Sequence, residues 1–208
     1  MSSGYRDERD LRYNIAVRLA ALFVFSLVAG GCTRDPAEAV CPEISEGDLV
    51  VTEIGGPQTG NELLEEFVEI YNASGRAVDL YGVKVRFRRR DGSSEVDILV
   101  RRSVPTQPGS YTVLGRDDDL DLAEYIDYGF APDFSETWLG AAAVDVEACG
   151  VQIDRAIYDS LPRVGTYSLE TAPPTGEAND LPANWCTDAR MNAGSFPGSP
   201  QQANVACP

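Results

Sequence analysis

Residues 66–72, Glu66-Phe67-Val68-Glu69-Ile70-Tyr71-Asn72 (EFVEIYN), decide the fold class. Val68 and Ile70 point one way while Phe67, Glu69 and Tyr71 point the other, the period of two that marks a strand with one face in a core. Asn72-Ala73-Ser74-Gly75 then supplies a turn. The same grammar extends outward in both directions. Upstream, residues 48–54 (DLVVTEI) read as a strand stopped by Gly55-Gly56-Pro57. Downstream, residues 78–87 (VDLYGVKVRF) put Val83, Val85 and Phe87 on one face and Lys84 and Arg86 on the other. Asp91-Gly92 marks a hairpin turn, after which residues 95–100 return through Val96, Ile98 and Val100. Pro108-Gly109 opens a strand over 110–115, and 151–158 (VQIDRAIY) and 166–170 are later strands.

Seven or so short strands separated by Gly, Pro and Asn turns predict an all-β, immunoglobulin-like antiparallel β-sandwich. Its expected core includes Val50, Ile54, Val68, Ile70, Val83 and Val85, each contributing about 1.5–3 kcal/mol on burial. Leu80 is expected at a sheet corner, with Gly82 allowing the bend. A helix could begin at 62–66, but the alternation that follows favours strand. From Thr171 onward, Pro173, Pro174, Pro182, Pro197 and Pro200 argue against central strands. This segment is expected to wrap the sandwich as ordered loops pinned by Trp185 and its flanking cysteines.

Residues 19–32 (LAALFVFSLVAGGC) locate the protein. Arg6, Arg9, Arg12 and Arg18 precede an apolar run that ends in small residues and a cysteine. That order is the mark of a secretory signal peptide, and the run is short of the roughly 20 residues a spanning helix needs. Cys32 after the small residues resembles a bacterial lipobox, with Ala29 where leucine is usual, and is expected to carry lipid. Thr33 after it is compatible with outer-membrane delivery. The expected organisation is a signal peptide over 1–31, the lipidated Cys32 and tether over 32–47, and a β-sandwich domain over 48–208 that includes the C-terminal wrap.

Of 33 acidic and 17 basic side chains, three and four lie in residues 1–31, which leaves 30 and 13 and a net charge of −17 on the mature part. That field repels nucleic acid and anionic lipid. There is no histidine, so the usual base near neutral pH and every histidine-containing triad are absent. Once Cys32 is set aside, Cys41, Cys149, Cys186 and Cys207 remain, an even number without a CxxC pair. In an oxidising compartment this predicts two disulfides and no zinc site. Of three possible pairings, Cys186–Cys207 with Cys41–Cys149 is preferred: the first closes a Pro/Gly/Asn-rich loop, the second clamps the start of the domain to the approach of VQIDRAIY. Cys41–Cys207 would also tie two termini together.

Four constellations could carry chemistry. Asp117, Asp118, Asp119 and Asp121, with Glu124 and Asp127 nearby, offer the oxygens Ca²⁺ prefers but lack the alternation and glycine of an EF-hand loop. A solvated loop explains them more simply. Arg86, Arg88, Arg89, Arg90, Arg101 and Arg102 could contact a polyanion, or could simply guard an edge hairpin with charge. Glu53, Glu66 and Glu69 on adjacent strands could form a glycosidase-type pair, although no sugar-stacking aromatics accompany them. Ser160, Ser168 and Ser195 lack both a GxSxG setting and an activating base.

Taken in order, DLVVTEI, EFVEIYN, VDLYGVKV and VPTQPGSYTVLG resemble the successive elements of the lamin-tail domain, and GVQIDRAIYD with the NWC…GSPQQANVAC ending resembles the close of its bacterial members. The resemblance covers roughly residues 48–208. It implies an immunoglobulin-like sandwich with no shared catalytic residues, used for interaction or tethering. The expectation is therefore a lipid-anchored, non-enzymatic protein of the bacterial cell envelope, at the outer membrane or cell surface, with no cofactor. Its partners would be the membrane through the lipid and an envelope protein or glycan, not nucleic acid. The alternative is a Ca²⁺-dependent adhesin or a glycan- or polyanion-binding protein.

Overall fold

EFVEIYN becomes β2 (Phe67–Asn72), in the interior of the larger sheet of the computed structural model. The structure describes residues 39–58, 66–118, 120–131, 133, 142–191 and 198–206. Cys32, the expected signal peptide, Asp119, Ser195, Cys207 and most of the expected helix start at 62–66 lie outside the described residues. β2 pairs antiparallel with β1 (Leu49–Gly55) on one side and with β7 (Tyr111–Gly115) on the other. β11 (Thr166–Leu169) and β12 (Trp185–Asp188) extend this sheet beyond β1, and the two-residue β8 (Tyr128–Gly129) joins β7 in parallel. The second sheet is fully antiparallel and runs β10 (Val151–Tyr158), β9 (Ala142–Ala148), β4 (Lys84–Arg88), β5 (Val96–Leu99). β3 (Val78–Asp79) and β6 (Pro105–Thr106) form a separate short ladder.

The inner faces of the two sheets share one core. Val51, Ile54, Val68, Ile70 and Leu114 come from the first sheet, and Val85, Phe87, Ile98, Val144 and Val146 from the second. All six residues expected in the core are buried. The molecule is thus an antiparallel β-sandwich, as the alternation predicts. A smaller apolar cluster of Phe67, Val113, Tyr125 and Ile126 covers part of the outer face of the first sheet.

Three features differ from the sequence reading. The stretch 78–87 is two strands in two sheets, because the chain turns at Tyr81-Gly82 and Val83 N–H donates back to the Leu80 carbonyl. Gly82 has φ +88°, and a Cβ there would run into the Val40 carbonyl. The bend needs glycine for both reasons. β9 is a second correction: alanine at both ends of Ala142–Ala148 hides a strand that sits between β10 and β4. The third is in the C-terminal segment, which is not all loop. Gly176–Asn179 makes a helical turn, α1, capped by Thr175, and Trp185–Asp188 pairs with β11 as the edge strand β12. An edge position tolerates flanking prolines because one side of the strand needs no ladder partner. Trp185 does pin the segment, stacking on Tyr167 at 4.7 Å between ring centroids and donating its Nε1–H to the Asn179 carbonyl at 2.7 Å.

Cys41 and Cys149 form a disulfide, as preferred from the sequence, with Cys149 in the tight turn between β9 and β10. Cys186 is also disulfide-bonded. Residues just past Cys41 are already part of the folded unit: Ile44 packs against the core, and Gly47 N–H donates to the Ile153 carbonyl at 2.9 Å. The Cys41–Cys149 link spans 108 residues of sequence. Removing it with the double variant Cys41→Ala/Cys149→Ala is expected to cost roughly 2–5 kcal/mol. The check is urea unfolding of the variant against the parent. An unchanged midpoint would show that the clamp adds nothing to the closed fold.

Candidate functional site

β1 is buried along its whole length. Its inner face is in the sandwich core, and its outer face carries Thr52 and Glu53. A β-bulge at Thr52 places Thr52 and Glu53 together opposite Glu69 of β2. The bulge also removes backbone groups from the ladder, and side chains from three distant segments replace their partners. Asp154 of β10 accepts from Val51 N–H at 2.7 Å, Asn179 of α1 donates to the Val51 carbonyl at 3.3 Å, and Asn204 donates to the Thr52 carbonyl at 2.8 Å.

Glu53 and Glu69 are both fully buried. Glu53 Oε1 accepts from Thr166 Oγ1, from Ser168 Oγ at 2.9 Å and from Ser199 N–H at 3.1 Å. Glu53 Oε2 is buried with no hydrogen-bond partner. Glu69 accepts from Thr52 Oγ1 at 2.7 Å and from Gln201 N–H at 2.7 Å. The segment 198–206 therefore lies over the pair as a strap, fixed through two backbone amides and through Asn204. Burial pushes Glu53 up to about 7, against the hydrogen bonds from Thr166, Ser199 and Ser168. Burial and then the neighbouring Glu53 push Glu69 well above the usual carboxylate range. Asp154 is raised to about 6, also by burial, despite its bonds from Val51 and Asn179.

Glu66 is not part of this pair. It stands just before β2 and is held by Arg116 at 2.8 Å. Ser168 faces Glu53 as a hydrogen-bond donor, and Ser160 is exposed beyond the end of β10.

The arginines expected to meet a polyanion are distributed among acids of their own domain. Arg86 reaches Glu95, Asp97 and Glu147 at 2.9–3.1 Å. Arg88 and Arg155 grip the buried Asp145. Burial alone would raise Asp145, but the bonds and charges of Arg155 and Arg88 outweigh it and hold it low. Arg90 pairs with Asp159 and Arg101 with Asp133, while Arg102 lies over the Tyr128 ring and donates to the Asp127 carbonyl at 2.8 Å. Arg89 is exposed in the turn after β4.

In the acidic loop Asp118, Asp121 and Glu124 are exposed, and three of its acids accept from backbone amides. Asp117 accepts from Ala123 N–H at 2.6 Å, Asp118 from Leu120 N–H at 3.0 Å, and Asp127 from Val113 N–H at 2.8 Å. Among the described residues no group of three or more His, Cys, Asp or Glu side chains is placed to hold a metal. A half-open cleft of about 710 Å³ lies between β10 and α1, with Glu46, Asp154, Glu177 and Asp180 on its walls.

Sequence reading picked out Glu53 and Glu69, and Ser168 in a different role, but not Thr166 or the strap that enclose them. A signal was present: Val50-Val51-Thr52-Glu53 breaks the period of two, and one extra residue in a strand is what a bulge requires. Thr166 and Ser168, at alternate positions, put two hydroxyls on the same outer face. Compared with known proteins, the chain matches no family model and no curated sequence.

The carboxyl shifts set the pH response. In the folded state Glu53 keeps its proton up to about pH 7, whereas in the unfolded chain it ionises near its ordinary 4.5. Unfolding in that window releases a proton, so the fold loses stability as pH rises from 4.5 to 7, by about 3 kcal/mol from this group. Glu69 acts with the same sign, and so does Asp154 between 3.8 and about 6. Asp145 and Asp188 are held low and act oppositely: their contribution is present above 3.8 and is lost as pH falls below it. The urea midpoint is expected to be highest between about pH 4 and 5 and to decline toward pH 8. A midpoint that climbs over that range would contradict the buried, uncompensated pair.

Proposed function

We propose that this chain is a lipid-anchored, non-enzymatic module of the bacterial cell envelope, built on a lamin-tail-like sandwich and acting by binding or structural support. The oxidised cysteines carry this reading. Cys41–Cys149 ties the start of the domain to the β9–β10 turn, and Cys186 is oxidised as well. Bonds of this kind form and persist outside the reducing cytoplasm, which agrees with the charge–apolar–small–Cys order that ends at Cys32.

The placement of charged side chains supports a module without catalysis. Glu53 and Glu69 are closed off by the strap, and Glu66 is committed to Arg116. Arg86, Arg88, Arg90 and Arg101 are in ion pairs with the domain's own acids. Asp117, Asp118 and Asp127 accept from backbone amides, so a Ca²⁺-dependent adhesin draws less support than a plain binding or structural domain.

The anchor is the part of the reading that one substitution can test. Cys32→Ser is expected to abolish both membrane fractionation and precursor processing, and the mature wild-type protein should begin at Cys32 with the mass of attached lipid. Mature protein that starts elsewhere, or a Cys32→Ser variant still found in membranes, would overturn the proposal.

A further inference from the structure

We propose that residues 198–206 are a proton-operated latch, closed over the Glu53–Glu69 pair while the pair keeps a proton and released when both carboxyls ionise. The geometry makes the strap and the pair mutually dependent. Ser199 N–H and Gln201 N–H end on Glu53 and Glu69 respectively, and Asn204 holds the bulged backbone at Thr52. Gly198, at φ +92°, lies so close that a Cβ would run into Glu53 Oε1 and Thr166. Water is thus displaced from both carboxyls by the strap itself. Glu53 Oε2, buried without a donor, is the atom where a proton removes the cost of an unpaired charge.

Among the described residues the cation whose charge reaches Glu53 is Arg190, and it is already committed to an acid of its own. From β12 comes Asp188, whose charge disfavours ionisation of Glu53, and Arg190 beside it is gripped by Asp188 through both Nε and Nη2. From the segment before β8 comes Asp127, which disfavours ionisation of Glu69 and accepts from the Gln201 side chain at 3.1 Å. β7 contributes Tyr111, itself raised to about 12 by burial and by Glu69. The donors in place hold the pair against burial but do not offset it, so two like charges call for water, and water enters when the strap lifts. Because the closed state holds the proton more tightly than the open one, raising the pH favours opening. Release uncovers a trough of two carboxylates and the hydroxyls of Thr52, Thr166 and Ser168.

Amide hydrogen exchange, corrected for intrinsic rates, reads the latch directly. Between pH 5 and 8 the protection of the Ser199 and Gln201 amides is expected to fall on the order of a hundredfold, while the Ile70 amide in β2 stays protected. In Glu53→Gln and Glu69→Gln the fall should shrink or vanish. If those variants do not fold, Gly198→Ala keeps the test decisive: the added Cβ should leave the strap amides unprotected even at pH 5 and bring the Glu53 carboxyl ¹³C titration down toward 4.5. Strap protection that is flat from pH 5 to 8 in the wild type overturns the latch. So does an unchanged pH dependence in the glutamine variants, or an unchanged Glu53 titration in Gly198→Ala.

Discussion

The burial of β1 on both faces is the constraint on which the rest of this domain depends. In most antiparallel sandwiches the outer face of a sheet meets water and its polar residues need no further provision. Here the outer face at the centre of the six-stranded sheet is covered, and it carries two glutamates. Each buried polar atom must then find a partner within the protein. The hydroxyls of β11, the amides of the strap, Asn179 and Asn204 are those partners. The bulge at Thr52 sharpens the requirement, since it puts two carboxyls opposite one another and takes Val51 and Thr52 out of regular pairing.

The two sheets deal with charge in opposite ways. On the outer face of the four-stranded sheet, acid and base alternate from strand to strand: Glu95 and Asp97 on β5 or its approach, Arg86 and Arg88 on β4, Asp145 and Glu147 on β9, Arg155 on β10. These cross-strand pairs satisfy one another, and the exposed ones add little to stability individually. At the centre of the six-stranded sheet neither Glu53 nor Glu69 is in an ion pair, so proton uptake takes the place of pairing. In a chain of net charge −16 these two buried acids lie where the C-terminal strap crosses.

The C-terminal segment from Thr171 thus has a physical role beyond wrapping. α1 reaches the bulge through Asn179, β12 closes the edge beside β11, and the strap seals the acidic pair. Together with Cys41–Cys149 they tie the late part of the chain to its first strand.

Much of this architecture was legible in the residues themselves. Alternation in EFVEIYN and VKVRF, together with Asp91-Gly92, determined strands, facing and class, because a period of two allows one face only to enter a core. The cysteine count determined an oxidised domain. What the residues could not determine was set by contacts distant in sequence. Ala142–Ala148 became a central strand only because β4 and β10 offered ladders on both sides, which overrides alanine's weak strand preference. Residues 78–87 became two strands because of a backbone approach at Gly82 by a segment some 40 residues away. Glu53 and Glu69, read from sequence as outward-facing carboxylates, became an interior pair because residues 198–204 return to cover them. Facing is a local property of the strand; burial depends on what the rest of the chain lays over it.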